Sequence, residues 1–114
     1  MDQADLSSIG IITDINTHII NLAQLTYTSG LDGVVCSALE ANAIIAATRN
    51  NFICVTPGIR LTSSTTDDQQ RIMTPVAALN NHADYLVIGR PITQAANPRQ
   101  QLHEILADIK ANIY

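Results

Sequence analysis

Phe52-Ile53-Cys54-Val55-Thr56-Pro57-Gly58-Ile59-Arg60 is the stretch that decides the architecture. From Phe52 to Thr56 the residues are apolar or β-branched, uncharged and without polar alternation, and the run stops at a Pro-Gly turn dipeptide. A short apolar run of this kind, bounded by turn residues, reads as a strand of a parallel sheet buried on both faces. Two similar runs flank it. Gly33-Val34-Val35-Cys36 precedes it, and Tyr85-Leu86-Val87-Ile88 follows it, closed by Gly89-Arg90-Pro91.

Helical patterns separate the strands. An alanine- and isoleucine-rich segment over 39–49 stops at Asn50-Asn51, and Thr74-Pro75 supplies an N-cap followed by proline at the first helical position, opening a helix to about Asn81. Upstream, residues 2–8 form a short helix ended by Gly10. Thr13 then caps a longer helix with Ile15, Ile19, Leu22, Ala23 and Thr26 on one face and Gly30 as its left-handed stop. Asn97-Pro98 starts the last helix, with Leu102, Ile105, Leu106 and Ile109 as the expected buried stripe. The chain therefore reads as a run of βαβ units.

Right-handed crossovers that add each strand on the same side place every helix on one face of the sheet. The other face is left as a bare apolar surface. A closed barrel hides that face inside itself, but takes eight strands and about 250 residues. The arrangement reads as an unfinished barrel.

Composition bounds the function. The chain has 114 residues, 46% of them hydrophobic and 14% charged, as in a globular domain or part of one. Its formal charge of −4, with Lys and Arg totalling 6, argues against a nucleic-acid partner. No apolar run has the length of a membrane span, and the acidic start is not a signal peptide. Cys36 and Cys54 sit in apolar runs at a spacing that matches no metal motif, and read as buried free thiols of a cytoplasmic protein.

Ligands of parallel α/β folds bind at the C-terminal ends of strands. Gly89-Arg90 follows one strand directly: glycine lets backbone N–H groups approach an anion, and guanidinium offers a planar fork matched to phosphate. Arg60 follows a neighbouring strand, with a Ser/Thr-rich segment over 61–68 beyond it that could fold over a ligand. The competing reading is a tight turn, a solvated loop and arginines paired to surface carboxylates. Gln69 could donate to a phosphate oxygen but resembles any exposed glutamine. Ser37 could touch a ligand, though capping of the next helix is the favoured reading. Asp32 precedes its strand, so a turn role fits it better. His18, His82 and His103 lie in or beside helices and assemble no hydrolase triad. The single lysine, Lys110, sits in the last helix, so an ammonium proton donor is not at the strand tips.

Taken together, Gly30-Leu31-Asp32-Gly33-Val34-Val35-Cys36-Ser37, Val55-Thr56-Pro57-Gly58-Ile59-Arg60, Asp68-Gln69-Gln70-Arg71-Ile72-Met73-Thr74-Pro75 and Ala83-Asp84-Tyr85-Leu86-Val87-Ile88-Gly89-Arg90-Pro91-Ile92-Thr93 closely resemble the bacterial orotidine 5′-monophosphate decarboxylases, in order and spacing. The resemblance runs the length of the chain. It implies an α/β fold that is the C-terminal part of a (β/α)8 TIM barrel, about three βα units corresponding to strands 6–8. It also implies that Arg60, Gln69, Gly89 and Arg90 grip the 5′-phosphate of the nucleotide, and that 61–68 belongs to the segment closing over it.

The family's reaction converts orotidine 5′-monophosphate to UMP and CO2 in de novo pyrimidine biosynthesis, without metal or organic cofactor. Its chemistry relies on an Asp-x-Lys-x-x-Asp array and a further lysine on earlier strands. Here the one Asp-x-Lys is Asp108-Ile109-Lys110, followed by Ile113 where an aspartate would be needed, within the last helix. The resemblance sets the start of this sequence just after the fifth strand, Met1 matching an internal methionine. It thus implies a 1–114 segment with the phosphate handle but no catalytic residue, inactive alone. A homodimer, or pairing with an N-terminal part, is the expected assembly. Two other readings stay open: a non-catalytic phosphate- or nucleotide-binding module, and another phosphosugar decarboxylase of the superfamily.

Overall fold

The computed structural model describes residues 2–61 and 73–114. Its elements run α1 (Gln3–Ser8), α2 (Ile15–Thr28), β1 (Gly33–Val35), α3 (Ala41–Ala47), β2 (Ile53–Thr56), α4 (Pro75–Asn80), β3 (Tyr85–Leu86), α5 (Arg90–Thr93) and α6 (Pro98–Asn112). The three strands form one parallel sheet in the order β1-β2-β3. Val35 pairs with Val55 and Val55 with Tyr85, so these three side chains form a row across one face.

The helices begin where side chains can satisfy their first N–H groups. Asp2 and Asp5 form a reciprocal capping box at α1, both bonds 2.9 Å. The cap of α2 is Asp14, not Thr13 as its sequence position suggests: the Asp14 carboxylate accepts from Asn16 N at 3.1 Å and Thr17 N at 3.2 Å. Aspartate brings a negative charge to the positive end of the helix dipole, which threonine does not. Gly30, at φ +88°, ends α2 in a Schellman turn, with Gly30 N donating to Tyr27 O and Leu31 N to Thr26 O. Thr74 caps α4 and Asn97 caps α6, each followed by proline at the first helical position, as their sequences predict.

One hydrophobic cluster joins Ala23 of α2, Ile44 and Ile45 of α3, and Cys36, Phe52 and Cys54. A second joins Ala38, Ile59, Ala78 and Ala83. Both lie on the helix-covered side. The opposite side of the sheet is bare: Val35 is 73% exposed, Tyr85 62% and Val87 51%. The strands are thus buried on one face, and the exposed face is the apolar surface expected of an open barrel segment.

Two boundaries and one burial pattern differ from the sequence expectation. β3 is two residues long rather than four, because β2 ends against Pro57, which has no N–H to continue the ladder; Val87 N still donates to Thr56 O at 2.9 Å. α3 begins at Ala41 rather than near Leu39, since 37–40 is a turn in which Glu40 N donates to Ser37 O. The α6 stripe is only partly buried. Ile105 is enclosed, but Leu102 and Leu106 are exposed at 40% and 55%, because among the described residues nothing covers that part of the helix.

Candidate functional site

Thr56 and Leu86 are partners at the ends of β2 and β3, and each is followed by an arginine at the same number of positions. Arg60 and Arg90 meet at one rim. Both line an open cleft of about 470 Å³, together with Pro91, Gln94, Ala95 and Gln101. No carboxylate is among the described lining residues. Its described lining therefore offers two positive charges and two neutral amides.

Local structure fixes each contributor. Gly58, at φ +78°, turns the chain after Pro57 and leads to Ile59, which is 1% exposed. Ile59 bridges Met73 in parallel, and Arg60 N donates to Met73 O at 3.1 Å. The Arg60 guanidinium donates to Ile59 O at 3.3 Å. Arg90 is the first residue of α5, an element that sequence reading takes as a turn. Gly89 is its N-cap, and its carbonyl accepts from Ile92 N at 3.0 Å and Thr93 N at 3.1 Å. Arg90's own N–H, being first in the helix, has no intrahelical acceptor. A Cβ built at Gly89 meets nothing within 4 Å, so the protein itself gives no steric reason for glycine there.

Of the residues expected to bind phosphate, the structure brings Arg60 and Arg90 together with Gly89 beside them, while Gln69 lies outside the described residues, as does the 61–68 segment beyond Leu61. Gln94 and Gln101 are the lining residues that sequence reading passes over. The available signal is that Gln94 stands four positions after Arg90, the same face of one helical turn.

Ser37 is not a helix cap. Glu40 precedes α3 without a side-chain cap, and its carboxylate accepts the Ser37 N–H at 3.3 Å. Ser37 and Glu40 line a separate cleft of about 620 Å³ with Asp2, Gln3 and Asn16. Asp32 lies before β1, its carbonyl accepting from Ile53 N at 3.0 Å, at the opposite strand ends from the arginines. His18, His82 and His103 do not line the arginine cleft. Among the described residues no three His, Cys, Asp or Glu side chains gather as metal ligands.

Cys36 and Cys54 are free and buried. Burial, and then the neighbouring Cys54, pushes the Cys36 thiol up to about 12, and burial raises Cys54 as well. Both are protonated at neutral pH, and neither suits a nucleophile's role.

Fold and cleft together define a parallel α/β protein with a cationic pocket at its strand ends. The comparisons with known proteins then set the family. The family model described as "Orotidine 5'-phosphate decarboxylase / HUMPS family" matches residues 1–105, and the chain belongs to that family. Orotidine 5'-phosphate decarboxylase of Chromobacterium violaceum is 53% identical over 109 residues, spanning 96% of this chain and 44% of the relative. The Vibrio cholerae enzyme is 53% identical over 105 residues, 92% of this chain and 46% of the relative. The crystal structure of orotidine 5'-phosphate decarboxylase from Lactobacillus acidophilus superposes with a TM-score of 0.76 at 29% identity, covering 95% of this chain and 43% of that one. The chain thus spans less than half the length of these relatives.

Proposed function

We propose that residues 1–114 are the C-terminal, phosphate-gripping segment of an orotidine 5′-monophosphate decarboxylase, with β1–β3 as strands 6–8 of its (β/α)8 barrel. The observation that carries this reading is the convergence of Arg60 and Arg90 on one cleft at adjacent strand ends, with no carboxylate among its described lining residues. The identity to curated relatives, 53% over 109 residues in one case, supports the same substrate class. Arg60 and Arg90 hold the 5′-phosphate of orotidine 5′-monophosphate or UMP, Gly89 leaves space for it, and Gln69 is assigned to the same group by resemblance alone.

Phosphate binding far from the reacting carbon matters because that energy can organise the reacting centre. These 114 residues hold one lysine, Lys110 on α6, which does not line the cleft. The segment supplies the handle while the Lys/Asp array comes from the part of the barrel that precedes it. The bare row Val35, Val55 and Tyr85 supports pairing of the sheet with further barrel strands or a second copy. Among the described residues no helix is long and apolar enough to cross a membrane. Two buried free thiols fit a reducing cytoplasm.

Complementation tests the reading. The purified chain alone should release no UMP from orotidine 5′-monophosphate. Mixing with a chain carrying the first five strands should restore turnover, and Arg90→Ala should remove it again. UMP formation by the chain alone, abolished by Arg90→Ala, would overturn the division of labour. Restored turnover that ignores both Arg60→Ala and Arg90→Ala would overturn the phosphate assignment.

A further inference from the structure

Gln94 and Gln101 reach the arginine cleft from two different helices, and the local structure holds both in place. Gln94 is the C-cap of α5, its N–H donating to Arg90 O at 2.9 Å. That bond sets Arg90 and Gln94 one turn apart on the same face, so both side chains serve the same space. Gln101 lies in the opening turns of α6, where Asn97 caps the helix, Pro98 fixes its first dihedral, and Gln101 N donates to Asn97 O at 3.0 Å. The helices α5 and α6 pack against each other. Gln100, the neighbouring amide, is turned elsewhere: its Nε2 donates to Glu104 Oε1 at 3.3 Å.

We infer that the Gln94 and Gln101 amides are neutral donors to the same phosphate monoester that Arg60 and Arg90 hold, forming the outer wall of its pocket. This deepens the phosphate reading and rests on it. The physical reason for neutral donors is specific. A phosphate monoester dianion has more acceptor sites than two guanidinium forks can saturate while one oxygen stays esterified. An amide N–H adds a hydrogen bond without adding charge, so its contribution is not weakened by salt as a guanidinium's is. An amide wall would also admit the sugar hydroxyls beside the phosphate, since its carbonyl accepts as readily as its NH2 donates.

The test is a titration of the ¹⁵N-labelled chain with ribose 5-phosphate, followed by amide chemical shifts at low and at high sodium chloride. Gln94→Ala and Gln101→Ala should each weaken binding about 2- to 10-fold, by the same factor at both salt levels. Arg90→Ala should weaken it about 10- to 100-fold at low salt and less at high salt. Gln100→Ala should bind as the parent does. Gln94→Glu keeps the shape of the side chain and sets a negative charge against the anion, so it should weaken binding more than alanine; it covers the case in which alanine loosens α5. If both glutamine variants bind like the parent while Arg90→Ala does not, the amide wall is refuted and the phosphate site stands. If Arg90→Ala also binds like the parent, or the parent does not bind, the phosphate reading itself fails.

Discussion

Replacing Gly33 by alanine tests how closely β1 and β2 approach. A Cβ at position 33 would stand 2.2 Å from Ile53 O and 2.7 Å from Ile53 Cβ, where ordinary contact begins at 3.4 Å. The first atom met is backbone, so no rotamer change relieves the overlap. The strands must part by about 1 Å, which stretches the neighbouring Ile53 N to Asp32 O bond from its 3.0 Å. Overpacking costs about 1–3 kcal/mol and a weakened hydrogen bond about 1 kcal/mol more. Alanine's lower unfolded-state entropy returns about 0.4–1 kcal/mol. The net expectation is a loss of about 2 kcal/mol, read as a urea midpoint lower by about 1 M at an m-value near 2 kcal/mol/M. Gly89→Ala is the internal control: with nothing within 4 Å and a negative φ, it should shift the midpoint by less than about half as much. Equal midpoints for the Gly33→Ala and parent chains would refute the close approach of the two strands.

At the start of α2, Asp14→Ala should cost about 1 kcal/mol and Thr13→Ala close to nothing, since the carboxylate of Asp14 takes two helix N–H groups; paired denaturation curves decide between them. The thiols give a pH prediction. Cys36 in the folded chain holds its proton up to about 12, against a reference of 9.0, so between these values the unfolded chain binds fewer protons. Stability should therefore be unaffected by this group below pH 9 and fall as pH rises from 9 toward 12. Cys36→Ala should flatten that decline, and a slope unchanged by the substitution would remove Cys36 as its source.

The strands were legible because apolar runs bounded by Pro57-Gly58 and Gly89 carry their own limits, and the caps at Thr74 and Asn97 because proline follows each. The shared rim of Arg60 and Arg90 was legible for a related reason: each follows its strand by the same number of positions. Other features depend on contacts that sequence spacing does not encode. α5 spans four residues, too short for a hydrophobic period, and forms around Gly89 and the packing of α6. Gln94 and Gln101 became visible only when that packing set them beside Arg60. The α6 periodicity says which residues share a face, but Leu102 and Leu106 show that it does not say whether a neighbour covers them. Thr13 and Asp14 are both chemically able to cap, and it is the Asp14 carboxylate that takes two helix N–H groups.

The bridge between Ile59 and Met73 pins the two ends of the intervening residues 61–72 together beside the sheet. That bridge and the bond from Arg60 N to Met73 O fix the seat of Arg60 through residues 59 and 73, so the arginine's position is inherited from the framework. A substitution that loosens Ile59 or Met73 would therefore displace the guanidinium without altering the arginine itself.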